Sequence, residues 1–197
     1  MVEIERLEGT DVERHLDALA RLRIAVFREY PYLYDGSLAY EQRYLRGFAE
    51  HAASTLVIAR DGADVVGAST ALPLLAHGDA DVLGPALEAA GYAPARVYYF
   101  GESVLLPAYR GQRIGHAFFD EREAAARAHG YPIAAFCAVE RPDDHPARPA
   151  PYVPHDAFWS RRGYVKRPAA VAMFRWTDLG DAHESAKPMV FWTKELT

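Results

Sequence analysis

The amino-acid sequence predicts an α/β domain built on a mixed sheet, and three observations carry that expectation. Residues 97–106 and 132–140 are nearly continuous apolar runs, the pattern of strands covered on both faces, with a glycine-bearing turn and a helical segment between them. Strand, turn, helix, strand is the βαβ arrangement. Residues 54–60 and 65–72 flank Asp61-Gly62-Ala63-Asp64 and read as an antiparallel hairpin, because Asp-Gly permits the positive φ of a tight turn. The third observation is size: 197 residues, half of them hydrophobic, suffice for one well-buried core, and the whole of 1–197 reads as one domain.

Each element follows from local pattern. Val2, Ile4 and Leu7 suggest a short first strand. Thr10 or Asp11 can cap a helix reaching Phe27, with Leu16, Leu19, Ala20, Arg23 and Phe27 at helical spacing. Tyr30, Tyr32 and Tyr34 follow, divided evenly between lining an acceptor pocket and packing the first helix. Further helices are expected over 38–50 and 79–90, the latter ended by Gly91. After Pro107 ends the apolar strand, a helix begins past Arg113 and places Ile114, Ala117, Phe118, Ala124, Ala125 and Ala128 on one side before Gly130. Residues 141–154 are a proline-rich loop, 156–162 a short helix, and 171–176 and 188–196 the last strands.

Charge and cysteine content exclude several functions. A net charge of −5 argues against broad nucleic-acid binding, which needs a basic stripe. A single cysteine, Cys137, rules out a disulfide framework within the chain and fits a reducing compartment. No apolar run approaches the ~20 residues that span a bilayer, and the charged, alternating start does not read as a signal peptide. The expected location is cytoplasmic, with no membrane partner. His145, His155, Asp143, Asp144 and Asp156 match no metal-ligand spacing, so a solvated loop and no metal are expected.

Chemistry concentrates in Arg110-Gly111-Gln112-Arg113-Ile114-Gly115-His116. A helix N-terminus presents unpartnered N–H groups and a dipole that favours an anion. Gly111 and Gly115 let backbone approach a bulky phosphate, and Arg110 and Arg113 add charge in an acidic protein. The plainer alternative is a turn with two glycines and solvated arginines. A phosphate-binding P-loop needs a Gly-Lys pair, which is absent, as is the G-x-G-x-x-G of dinucleotide sites.

This segment resembles the acyl-CoA motif Q/R-x-x-G-x-G/A of the GNAT superfamily of acyltransferases, with Arg110 at the first position, Gly115 at the last and Arg113 in place of the middle glycine. Phe158-Trp159-Ser160-Arg161-Arg162-Gly163-Tyr164 is similar to the later F-Y-x-x-x-G-F/Y motif, with Trp159 where tyrosine is usual. The resemblance covers roughly 57–163. It implies a mixed, mostly antiparallel central sheet of six to seven strands, with splayed parallel central strands, flanked by helices. Acetyl-CoA is then the co-substrate, its pantetheine between strands 97–106 and 132–140 and against the backbone of Val104, Leu105 and Leu106. Its pyrophosphate would lie on the amides from Gln112 through Ile114 to His116, with Ser160 close by.

The activity implied is transfer of an acetyl group to a primary amine of a small molecule or peptide. Glu102 is the candidate base, because it interrupts an otherwise buried strand where burial raises a carboxyl pKa; a paired, structural carboxylate at a bulge beside Gly101 is an equal alternative. Tyr164, Tyr152 and Cys137 are candidates for the acid, against a core role for each. A catalytically degenerate acyl-CoA-binding sensor or interaction module, and an O-acyltransferase or longer-chain donor, are the competing readings. Phe191 and Trp192 on the last strand could pair across a homodimer or finish the sheet.

Overall fold

The computed structural model describes residues 2–196. Seven strands form one sheet in the order β1-β2-β3-β4-β5-β7-β6. They are β1 (Glu3–Glu8), β2 (Thr55–Asp61), β3 (Asp64–Pro73), β4 (Val97–Leu105), β5 (Ile133–Val139), β6 (Val165–Trp176) and β7 (Ser185–Glu195). Among the described residues only β4 and β5 pair in parallel; every other neighbouring pair is antiparallel. The mixed, helix-flanked sheet is therefore the one expected.

Alternation along the strands splits the core in two. Leu56, Ile58, Val97, Tyr99, Ala135, Cys137 and Phe191 face helices α1 (Leu16–Phe27), α2 (Leu38–Ala49) and α3 (Ala80–Ala89). Tyr98, Phe100, Ala134, Phe136 and Trp192 face α4 (Ile114–Ala128) and α5 (Asp156–Arg161). Ser37 caps α2, its hydroxyl accepting from the Tyr40 N–H.

Three local expectations are corrected. Residues 9–15 form a 3-10 turn and the α-helix starts at Leu16, so neither Thr10 nor Asp11 is its cap. β6 begins at Val165 rather than 171, because a bulge across 167–171 absorbs Pro168, which has no N–H for the ladder. β7 starts at Ser185 and lies inside the sheet between β5 and β6. Phe191 and Trp192 are consequently buried, and the last strand has no free edge to offer a partner.

Candidate active site

The site begins with one extra residue. Along the β3–β4 ladder Ser69 opposes Ser103 and Ala71 opposes Phe100, so two steps on β3 match three on β4. The extra residue is a β-bulge at Gly101 and Glu102. A Cβ at Gly101 would sit 2.6 Å from Thr70 Oγ1, so only glycine fits. The same Thr70 hydroxyl accepts the Glu102 N–H. The bulge shifts the alternation: Val97 and Tyr99 face α1 before it, and Val104 does so after it. Glu102 thereby points to the α1 side.

The bulge also ends the parallel pairing. β4 and β5 are in register only from Val97–Ile133 to Tyr99–Ala135, and beyond that the two strands part. A cavity of about 1280 Å³ opens through the gap. Phe100, Phe119, Phe136 and Trp159 line it on one side of the sheet, and Phe27, Tyr30, Tyr32 and Tyr152 on the other. The 141–154 loop hangs over it, with Tyr30 and Tyr152 ring to edge at 4.7 Å. Arg141 holds this rim: it makes a bidentate pair with Asp178 and donates to the carbonyls of Pro31 and Tyr32.

Two buried arginines flank the bulge. On the α1 side, Arg23 lies between Glu41 and Glu102 and over the Tyr44 ring. Burial works against its charge, yet Glu102, Tyr44 and Glu41 together hold the guanidinium above its ordinary range. Glu102 Oε1, on the far side of the carboxylate, is buried without a hydrogen-bond partner. On the α4 side, Arg122 donates to the carbonyls of Thr70, Glu102 and Phe118 and to Ser103 Oγ, and stacks on Phe100 and Phe119. Burial lowers its pKa to about 10, with Tyr164, Glu102 and Glu123 opposing. Sequence reasoning missed Arg23 as a site residue and Arg122 altogether; the one signal was an arginine on the apolar stripe of each helix.

The glycine-bearing turn leads from β4 into α4. Gly111 has φ +78°, which glycine adopts without strain. Arg113, where the motif has glycine, also has positive φ, +64°, and serves as the α4 N-cap. Among the described residues, the first-turn amides of Ile114 and Gly115 have no backbone acceptor, whereas the His116 N–H donates to Arg113 O. A Cβ at Gly115 would meet only Phe158 at 3.7 Å.

Not every expected contact converges. Glu102, Leu105, Arg110 and Gly115 line the cavity. Arg110 does so while paired to Glu29 and donating to Leu105 O. The Leu106 N–H is engaged by Val66 O and its carbonyl by the Tyr109 N–H, which leaves no open edge amide there. Val104 is buried opposite Ala68. Gln112 and Arg113 are exposed at the turn, Ile114 is buried beneath it, and His116 packs on Phe158 with Nδ1 near Arg162. Ser160 is exposed outside the cavity; the short α5 turns Phe158 and Trp159 inward instead.

Of the acid candidates, Tyr164 is removed from the cavity, buried with its hydroxyl donating to Glu123. Tyr152 and Cys137 reach the wall. Burial pushes the Cys137 thiol up to about 12, and its sulfur lies 3.1 Å from the Tyr99 hydroxyl. His145 and His155 pack on Tyr30 and Trp159, Asp143 pairs with Arg148, and Asp156 pairs with Lys166. No helix among the described residues is long and apolar enough to cross a membrane.

Comparison with known proteins gives the same frame. Residues 18–150 match the model of the acetyltransferase (GNAT) family. The fold is similar to a ribosomal-protein-alanine N-acetyltransferase from Brucella melitensis, at TM-score 0.61 and 13% identity over 98% of this chain and 99% of that one. It is also similar to an acyl-CoA N-acyltransferase from Pseudomonas aeruginosa, at 0.56 and 16% over 98% and 99%. An N-acetyltransferase from Staphylococcus aureus aligns at 0.57 and 10% over 100% and 99%. No curated protein matches by sequence.

Proposed function

The chain belongs to the GNAT acetyltransferase family, and on that premise we propose that it transfers an acetyl group from acetyl-CoA to a primary amine by direct attack in a ternary complex. The observation that carries this reading is the bulge that separates β4 from β5 beyond Tyr99 and Ala135 and opens a cavity beside the α4 N-terminus. The residues present fit the coenzyme. The free amides of Ile114 and Gly115, with the positive-φ turn at Gly111, suit the pyrophosphate. The gap between 100–105 and 136–139 suits the extended pantetheine. The acceptor then enters from the side of Tyr30, Tyr32 and Tyr152.

Glu102, directly or through water, takes one proton from the ammonium form of the acceptor. Two carboxylates share one guanidinium in the Glu41–Arg23–Glu102 cluster, so it keeps a surplus negative charge that draws a cation. The neutral amine attacks the thioester carbonyl carbon and the C–S bond breaks. The departing thiolate collects the second proton that the nitrogen sheds on becoming an amide.

Titration calorimetry with acetyl-CoA and with CoA tests the premise, micromolar binding corresponding to about −8 kcal/mol. Release of CoA with any member of a primary-amine panel supports the transferase. Absence of binding overturns it. Binding without release across the panel supports the second reading, an acyl-CoA-binding module without turnover, which Trp159 in the motif and the pairing of Glu102 to Arg23 favour.

A further inference from the structure

The wall of the large cavity is rich in rings and holds no spare cation. We propose that the acceptor is an arylalkylamine: one primary ammonium on an alkyl tether that ends in an uncharged aromatic ring, with no carboxylate beside the amine. The inference rests on the reading of this cavity as the site of acetyl transfer.

The rings come from two segments that are tied together. Tyr30 and Tyr152 are half-buried and meet edge to face, at 4.7 Å and 85°. In that geometry the ring that offers its edge keeps both faces clear of the other, so a third ring can join the pair. Tyr32 is different: it is packed between Phe27, at 4.5 Å, and Trp176, at 6.1 Å. Arg141 fastens the two segments by donating to the carbonyls of Pro31 and Tyr32. Pro142, Pro146, Pro149, Pro151 and Pro154 restrict the loop that carries Tyr152. The platform is therefore set before the acceptor arrives, and little ordering entropy is lost on binding.

The charged groups of the wall are already matched. Arg110 pairs with Glu29, Arg141 with Asp178 and Arg148 with Asp143. Lys166 stands between Glu140 and Asp156. Arg122 spends its N–H groups on three carbonyls and the Ser103 hydroxyl. His155, lowered by burial and by Arg110, adds no cation. At Glu102 the nearest guanidinium, Arg23, is shared with Glu41, so the surplus there is negative and marks the end that takes the ammonium.

This distribution sets the chemistry of the acceptor. A carboxylate on the carbon that bears the amine lies within about 4 Å of the nitrogen by covalent geometry. It would be carried to the carboxylate-rich end of the cavity and find no free cation there. A second ammonium at the far end fares no better. Arg148 already lies over the Tyr152 ring, 5.3 Å from its centre, and repels another positive charge. An uncharged ring meets neither obstacle and adds to the Tyr30–Tyr152 pair.

CoA release is measured with benzylamine, 2-phenylethylamine, 3-phenylpropylamine, butylamine, phenylalanine and putrescine. The best phenylalkylamine should exceed butylamine about tenfold in kcat/KM. 2-Phenylethylamine should exceed phenylalanine at least ~100-fold, because the added carboxylate would be buried unpaired. Putrescine should do no better than butylamine. Tyr152→Ala should bring the ratio of the best phenylalkylamine to butylamine within about twofold, while Tyr152→Phe, which keeps the ring, should preserve it. Butylamine, phenylalanine or putrescine used as well as the phenylalkylamines overturns the acceptor class and leaves the transferase standing. An unchanged ratio in both Tyr30→Ala and Tyr152→Ala also overturns it. No CoA release with any primary amine removes the transferase and the acceptor class with it.

Discussion

The two faces of β4 at the bulge bury arginine in opposite ways. On the α1 face Arg23 is outnumbered by carboxylates, Glu41 and Glu102. On the α4 face Arg122 has carbonyls, one hydroxyl and two rings within reach, and no carboxylate hydrogen-bonded to it. The consequence is a polarity across the sheet, negative toward the cavity side that would receive a protonated amine and positive toward the side of the α4 N-terminus. On the proposed function, a cationic acceptor and an anionic coenzyme would be drawn to opposite openings of one cavity. Burial alone does not set a group's behaviour; the count of opposite charges within reach does.

The sharpest way to break this comparison is on the coenzyme side. Gly115→Glu should weaken CoA binding at least ~100-fold, through loss of about two charge-assisted bonds of about 1.5 kcal/mol each and added repulsion. The melting temperature should hold, since a Cβ at Gly115 meets only Phe158 at ordinary contact distance. Calorimetry reads it, and unchanged affinity would remove the phosphate site from α4.

Glu102→Gln tests the other face. Turnover should fall about 100-fold, the lower range for general-base help. The loss should be largest at low pH, where the acceptor is most fully protonated. A pH profile parallel to wild type would reduce Glu102 to a partner of Arg23.

Arg122→Met probes whether the positive face also builds the bulge. It leaves the Thr70 and Glu102 carbonyls without their buried donor, and at about 1–3 kcal/mol for each unsatisfied group the loss should reach about 2–6 kcal/mol. Urea unfolding measures it; a change below about 1 kcal/mol would mean water replaces the guanidinium freely.

The last effect concerns His77. Burial first, then Arg23, lowers its pKa to about 4 from 6.5. The native ring is neutral where the unfolded chain takes up a proton, so the unfolded state binds more protons between those values. Stability is complete above pH 6.5 and declines as pH falls through about 4, by about 3 kcal/mol in all. His77→Gln should flatten that part of the curve of stability against pH.

The parallel unit, the hairpin, the glycine turn and the opening residues of α4 were legible in the sequence, because each rests on neighbours close in the chain. Apolar runs, Asp61-Gly62 and the Arg110–His116 segment state their own geometry. The location of Glu102 on a buried strand was equally visible. What surrounds it was not. Arg23 is 79 residues away and Arg122 is 20, and nothing local in either helix says which strand each will meet. The place of β7 inside the sheet, the inward turn of Trp159 rather than Ser160, and the engagement of Leu106 by Val66 and Tyr109 likewise depend on which elements pack together. The sequence by itself determined the elements and the motif, since backbone preference and periodicity act over a few residues. Only the tertiary structure decided the partners of each buried charge, because long-range packing alone brings together groups that the chain keeps far apart.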